Sequence, residues 1–451
     1  MSFSLSPLYK ALHTDDRLIP ALRRIEAGQR GEVYCVGGCI RDSLLGRPIT
    51  DVDLAVPGDA MSCARIFADA VKGAFVPLDT EEEVGRVVFL RRMTFDFASF
   101  KGQTLYEDLA RRDFTINAMA CRLSDVLDES SSLIDPQGGS VDLGNKRITA
   151  VSEQAFPDDP LRMLRAYRFA AQLGFLIEPN THVWIARWAK RLPRVSAERI
   201  QDELAVLLTQ ERATPWIREM YGAGVLQAVL PELSGQRPYR LLEHVERFLE
   251  TPGSCRIPDL ERLLSSSQNT ARSCSWLLRL AALLAGDQPP RDRSGAWITQ
   301  IATVRLRLSN REQKTLQSFI RAPVRIQALI ETVHDSDDTL YDISRSSGED
   351  TGGVILLAIA MCHTDGGNQS GYVSLLNRLI RIDERRQAVQ AAPRLITGND
   401  LMAQFNLPPG PQLGVLLSRL ETEQVIGHIR TREEALAAVG SWLDDTNVNR
   451  S

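Results

Sequence analysis

Apolar and polar residues follow two different rhythms along the chain, and the change between them falls near residue 150. Before it, short apolar runs are separated by helical stretches. VYCVGG (33–38) is β-rich and closes on Gly-Gly, and CIRDSLLG (39–46) predicts a short helix with a glycine stop. DVDLAV (51–56) alternates as a half-buried strand does. VVFLRR (87–92) and TFDFASF (94–100) predict two more strands, and FTINAMAC (114–121) is an apolar run with β-branched residues. Strands mixed with helices predict an α/β (α+β) head over residues 1–150.

From about 151 onward the strand signals nearly stop. LRMLRAYRFAAQLGF (161–175) carries apolar residues at helical spacing and ends at Gly174, and SAERIQDELAVLLT (196–209) opens on a capping Ser196. LLRLAALLAG (277–286), VILLAIAMC (354–362) and LGVLLSRLE (413–421) continue the helical pattern, between turn-rich breaks at 265–273, 345–353 and 363–371. No fixed-period repeat runs through this part. The pattern predicts an elongated all-helical body, divided into a neck at 151–233, a middle at 234–392 and a tail at 393–451.

Composition narrows the class. The 451 residues carry 53 Lys plus Arg and 57 Asp plus Glu, for a net charge of −4, and are 43% hydrophobic. That is enough apolar matter for packed cores and argues against wholesale disorder. No apolar run approaches the ~20 residues of a membrane span. The first residues lack the layout of a secretory signal, and seven cysteines without a CxxC pair read as reduced thiols. A cytoplasmic protein is expected. A weakly acidic total argues against coating nucleic acid by bulk charge, but not against gripping it through a local basic surface.

The candidate chemistry starts at GGCIRDSLLGRPITDVDLAV (37–56). Gly37 and Gly38 sit between a strand and a helix, where glycines let backbone N–H groups approach a phosphate. Strand–Gly–Gly–helix turns are common, so the pair alone says little. Asp51 and Asp53 sharpen it. Residues i and i+2 of a strand point to one face, so two carboxylates project together beside a phosphate-binding turn. Such a pair repels unless a cation sits between them, and oxygen ligands with phosphates suit Mg²⁺. Asp96, flanked by apolar residues on a second strand, is the candidate third carboxylate.

The GG–x–x–RD…DVD pattern, which includes Arg41 and Asp42, resembles the DNA polymerase β nucleotidyltransferase superfamily. EDLARRDFTINAMA (107–120) is similar to the RRDFTxNA signature of the bacterial-type (class II) tRNA nucleotidyltransferases and their relatives, the bacterial poly(A) polymerases. The resemblance implies that Arg111, Arg112 and Asp113 hold the ribose and triphosphate, with Asn117 in the same motif. PDDPLRMLRAYRF (157–169) resembles the family's base-selecting EDxxR motif. It implies that Asp159 and Arg162, expected on one face of a helix, read the base edge of CTP or ATP. Asp158 stands where the family carries Glu. Arg165 and Arg168 follow, as contacts to triphosphate or primer or as ion-paired surface. SAERIQDEL (196–204) resembles an element that supports the base-selecting helix.

Many relatives carry an HD-type segment in the middle. Here LRLAALLAGDQPP (278–290) has Ala285 in place of the His, with Gly286 before Asp287, while His244 remains upstream. A degenerate, structural version is expected, and His334-Asp335 reads as a coincidence. ITGNDLM…GPQLGVLL…EEALAAV (396–439) resembles the tail of bacterial CCA-adding enzymes. Arginine clusters at 187–199 and 378–386 are open to two readings, a tRNA groove or solvated surface.

The expected activity is template-independent addition of C, A or both to the tRNA 3′ end from CTP and ATP. Two Mg²⁺ ions on Asp51, Asp53 and Asp96 would activate the attacking hydroxyl, with no DNA or membrane partner. Eleven residues separate Asp96 from Asp108, where many full CCA-adding enzymes carry a longer flexible loop, so the CC-adding subset is favoured. The rivals are a poly(A) polymerase, a non-catalytic RNA-binding relative and an HD phosphohydrolase. The sequence leaves the oligomeric state open.

Overall fold

A computed structural model describes residues 5–79, 83–130, 132–255, 257, 260, 268–286, 294–332, 336–367 and 369–448. Asp287, His334 and Asp335 lie outside the described residues. The chain divides into two compact units, one of residues 1–207 with 218–229, the other of 208–217 with 230–451.

The first unit is built on a seven-stranded sheet. Its strands are β1 (Tyr34–Val36), β2 (Asp51–Val56), β3 (Ala74–Asp79), β4 (Val84–Phe89), β5 (Met93–Ser99), β6 (Ala120–Arg122) and β7 (Leu133–Ile134). Their order is β3-β4-β5-β2-β1-β6-β7, and β2 and β5 run parallel while the other neighbours are antiparallel. A strand alternates its side chains between faces. On β4, β5 and β2 the residues Val87, Phe89, Phe95, Phe97, Val52 and Leu54 are buried. They pack against the Ala60–Val71 helix, whose Phe67 ring lies 4.7 Å from that of Phe95 and 5.4 Å from that of Phe97. Gly85 makes this close approach possible: a Cβ there would sit 2.8 Å from the Ala64 Cβ. The alternate residues Arg86, Asp96, Asp51 and Asp53 face the other way, where no helix covers them fully.

Two strand boundaries differ from the pattern expected. The run at 87–92 is not one strand, because Leu90 and Arg91 take left-handed backbone (φ 49° and 53°) in the turn between β4 and β5. Within 114–121 the chain forms a 3₁₀ turn, Thr115–Asn117, before β6 begins. Beyond the sheet, the Arg162–Leu173 helix ends at Gly174 and the Ala197–Leu208 helix follows, both close to the expected bounds. A short parallel pair, β8 (Arg147–Ile148) and β9 (Leu176–Ile177), ties the start of this helical part to itself.

Among its described residues the second unit is built of helices joined by turns, with no strand. Its Thr351–Asp365 helix is apolar all round, with eleven buried residues, and so lies at the centre. The Arg237–Glu250, Asn310–Thr332 and Gln369–Ala391 helices pack around it. Fully buried Asp383 is satisfied by Ser344 Oγ (2.6 Å), Thr351 Oγ1 (3.0 Å), Arg386 Nη2 (2.7 Å) and Gln387 Nε2 (2.7 Å). Arg386 is therefore a core cross-link, and Arg378 pairs with Asp337, so these two members of the 378–386 cluster are committed within the fold. Where an HD site would carry its His, the carbonyls of Ala285 and Gly286 accept from Arg237 Nη1, whose guanidinium also pairs with Asp365. The tail packs its own apolar cluster from Leu401, Leu413, Leu416, Leu420, Ala435 and Val439.

Candidate active site

The open face of the sheet forms the floor of a cavity of about 730 Å³, walled by the Arg162–Leu173 and Ala197–Leu208 helices. Its floor is a row set by strand register. Asp53 on β2 pairs directly with Asp96 on β5, and Asp96 pairs in turn with Arg86 on β4. Asp51 lies two residues back at the start of β2, held by Thr50 Oγ1 (2.8 Å) and by Thr94 Oγ1. Burial pushes the Asp53 carboxyl up to about 6, and the charges of Asp96 and Asp51 add to the rise against the pull of Arg112 and Arg41. A carboxylate so placed calls for more positive charge than the protein supplies. The third acid is engaged: Arg86 donates Nε and Nη2 to Asp96 at 2.7 and 2.6 Å.

On the β1 side the floor ends in Gly37. Its φ of +70° suits glycine, and a Cβ there would lie 2.7 Å from Arg112 Nη1 and 3.7 Å from Asp53 Oδ2. The turn thus keeps backbone, guanidinium and carboxylate within reach of one small ligand. Gly38 opens a seven-residue helix, Gly38–Leu44.

Above the floor runs a chain of polar contacts. Arg41 pairs with Asp42 and donates Nη1 to Asn117 Oδ1 at 2.6 Å. Asn117 donates Nδ2 to Asp113 Oδ1 at 3.1 Å, and Arg165 donates Nε and Nη2 to Asp113 Oδ2 at 2.9 and 2.8 Å. Although burial opposes its charge, Arg165, Asn117 and the Phe114 N–H hold the Asp113 carboxyl below its ordinary value. Glu203, from the Ala197–Leu208 helix, then bridges Arg165 (3.5 Å) and Arg168 (2.5 Å). The guanidiniums of Arg41, Arg165 and Arg168 surround the Phe169 ring at 5.1, 5.2 and 4.0 Å. Arg112 is fixed by Asp108 Oδ2 at 3.0 and 3.1 Å.

The expected Asp159–Arg162 pair on one helix face is not formed. Asp159 has extended backbone (φ −139°, ψ 98°) before the Arg162–Leu173 helix, because Pro160 follows it and disfavours helical backbone at the preceding residue. Its carboxylate accepts from Arg199 Nη2 at 2.9 Å, while Arg162 donates to the carbonyls of Arg111 (2.8 Å) and Arg112 (3.4 Å). Asp158 accepts from Gln154.

Of the candidate residues, Gly37, Gly38, Arg41, Asp51, Asp53, Asp96, Arg112, Asp113, Asn117, Asp159, Arg162, Arg165 and Arg168 line this one cavity. Asp42 and Arg111 do not, and serve Arg41 and Arg162 from behind. Sequence reasoning missed Arg86, Arg199 and Phe169 in the lining. For Arg86, the available signal was its two-residue alternation within a strand, obscured by the misplaced strand end. Seven arginines against five aspartates leave the cavity net positive, as a polyphosphate requires.

A sheet with clustered carboxylates beside a glycine turn is the layout of a nucleotidyltransferase head. Residues 33–149 match the poly(A) polymerase head domain, 174–236 the family described as a probable RNA and SrmB-binding site of polymerase A, and 302–439 a tRNA nucleotidyltransferase domain 2. The CC-adding tRNA nucleotidyltransferase of Geobacter sulfurreducens is 34% identical, over 89% of this chain and 90% of its own length. The A-adding tRNA nucleotidyltransferase of Deinococcus radiodurans is 31% identical, over 91% of this chain and 95% of its own. The fold is similar to that of the Thermotoga maritima CCA-adding enzyme in complex with tRNA-CCA, with a TM-score of 0.68 at 22% identity over 97% of this chain and 100% of that one. The chain belongs to the tRNA nucleotidyltransferase and poly(A) polymerase family, and it is an enzyme of that family.

Proposed function

We propose that the protein adds the two C residues of the tRNA 3′ end from CTP, releasing pyrophosphate, and adds the terminal A poorly. One observation carries the nucleotide choice. Only Phe100–Thr104 connects β5 to the Leu105–Ala110 helix, and this link is pinned. Phe100 N donates to Val56 O (3.1 Å), Lys101 N to Asp108 Oδ1 (3.0 Å) and Gln103 N to Glu107 Oε2 (2.7 Å). There is no length for the flexible loop that the family resemblance ties to the switch from C to A. The name of the Geobacter relative agrees with this reading.

Asp51 and Asp53 fit Mg²⁺, which needs one or two carboxylates and otherwise accepts substrate phosphates. Among the described residues no group of three or more His, Cys, Asp or Glu is set to hold a metal, and Asp96 is paired with Arg86. When bound, Mg²⁺ would supply Lewis-acid activation of the tRNA 3′-hydroxyl and charge neutralisation at the α-phosphate. The chain's own residues do the rest. The Gly37–Gly38 backbone, Arg41 and Arg112 take the triphosphate. Asp113, with both oxygens already satisfied, holds Arg165 toward the nucleotide. Asp159 and Arg162 take the base edge, with Arg199 setting the Asp159 carboxylate. The head at 1–150 would hold the chemistry, 151–233 the nucleotide and tRNA end, and the helical segments at 234–392 and 393–451 the tRNA body, in the cytoplasm where tRNA is processed. Positioning and electrostatics supply most of the acceleration.

The test is incubation with tRNA transcripts ending at the discriminator base or at CC, with each NTP in turn. Two cytidines from CTP and little A after CC are expected. Efficient A addition after CC would reject the CC-only reading. A run of adenines on unstructured RNA would make it a poly(A) polymerase, and no incorporation at all a non-catalytic relative.

A further inference from the structure

Arg86 is the cavity arginine that strand register places beyond Asp96, on β4. Asp53 has β1 and the Gly37–Gly38 turn on one flank and Asp96 followed by Arg86 on the other. In-line displacement at the α-phosphate puts the leaving pyrophosphate and the attacking hydroxyl on opposite sides of that phosphorus. With the triphosphate on the Gly37 and Arg112 flank, the RNA end must enter over β5 and β4. The first cation it meets there is Arg86. Its pair with Asp96 is partly open to solvent (39% and 21% side-chain exposure), so a phosphate can compete for the same fork of donors.

The path continues past Arg86. The β4–β5 turn, closed by Arg92 N donating to Phe89 O (3.0 Å), holds Arg91 and Arg92 exposed. Met93 and Thr94 follow, and Thr94 is the register partner of Asp51, so the turn sits at the same end of the strands as Asp51. No hydrogen bond or ion pair engages the Arg91 or Arg92 guanidinium among the described residues.

We propose that Arg86 grips the backbone phosphate of the last RNA nucleotide, exchanging Asp96 for that phosphate as the acceptor end arrives, and that Arg91 and Arg92 take phosphates further along the strand. The exchange also frees Asp96 to stand beside Asp53 once the RNA is in place. This rests on Asp51 and Asp53 marking the reacting end.

The experiment compares Arg86→Gln, Arg86→Lys and the double variant Arg91→Gln/Arg92→Gln in the full chain, each checked by thermal unfolding. A tRNA transcript lacking CCA is titrated at several salt concentrations without NTP, and KM is measured separately for tRNA and CTP. For Arg86→Gln, Kd and KM for tRNA should rise roughly tenfold with KM for CTP within about twofold. The slope of log Kd on log salt should become shallower by about 0.7–1, and the double variant should lose about twice that. Arg86→Lys should fall between. Unchanged tRNA affinity and salt slope in Arg86→Gln and the double variant would overturn the proposal, and a raised KM for CTP alone would move Arg86 to the triphosphate. If Arg86→Gln does not fold, Arg86→Lys and the double variant decide by the same readouts. Asp53→Ala separates the two readings, because it should bind tRNA as the parent does without turnover. An active Asp53→Ala would sink the site assignment while leaving the tRNA-binding comparison to stand or fall by itself.

Discussion

Asp53 and Asp96 are direct register partners on adjacent parallel strands, and both carboxylates face the same cavity. Strand pairing, not side-chain packing, fixes their approach, so replacing one leaves the sheet intact. Asp51→Ala and Asp53→Ala should each lower CMP transfer by about 10³-fold or more, with unfolding temperatures close to the parent's. Turnover assays on tRNA transcripts, with calorimetry on the same samples, check this. Retained turnover in both would refute the site.

The charge on Asp53 should be visible in stability. Its carboxyl is pushed up to about 6 in the fold, against an ordinary 3.8. The folded chain therefore holds a proton that the unfolded chain has lost across that window. Stability falls as pH rises from about 4 to about 6 and stays lower above it. Asp53→Asn removes the cost and should stabilise the Mg²⁺-free protein at pH 8 by about 1–2 kcal/mol, allowing for the solvent that reaches the group, and by nothing at pH 3.5. Mg²⁺ should raise the melting temperature of the parent at pH 8 and leave that of Asp53→Asn nearly unmoved. Equal responses of the two proteins would count against a metal at Asp53.

Asp159 owes its aim to Arg199, 40 residues away in sequence. Arg199→Ala should relax the choice of base more than it slows transfer. The ratio of kcat/KM for CTP over UTP should fall by about 10–100-fold, while overall stability changes by less than about 1 kcal/mol, because the ion pair is half exposed. Competition assays with paired nucleotides read the ratio directly. An unchanged ratio would leave Arg199 as surface charge.

Gly85 lets the Ala60–Val71 helix close on the sheet beneath the carboxylates. Gly85→Ala puts a methyl 2.8 Å from the Ala64 Cβ and 3.1 Å from the Phe75 ring. Overpacking of that kind should cost about 1–3 kcal/mol in denaturant unfolding. Because the sheet carries the site, activity should fall with it. A neutral outcome would mean the helix can shift without disturbing β4.

Short-range chemistry made much of this readable. The DVD alternation placed Asp51 and Asp53 on one face because strand geometry has a period of two. Gly174 ended a helix where its apolar period stopped. The turn at Leu90 and Arg91 was not readable, since two non-glycine residues in left-handed backbone are held there by the pairing of β4 with β5. Asp159 was expected inside a helix because a spacing of three suits one, but Pro160 unwinds the chain at that point.

The sequence by itself determined the class of fold, the family and most of the residues that meet in the cavity, since those follow from local periodicity and short motifs. Tertiary structure decided who partners whom. Asp96 lies with Arg86, Asp159 with Arg199, and Arg165 and Arg168 with Glu203. Each of these joins strands or helices whose register and packing are set by the whole sheet and its covering helices. No local spacing encodes which charge will lie opposite which, and that is where the site acquires its sidedness.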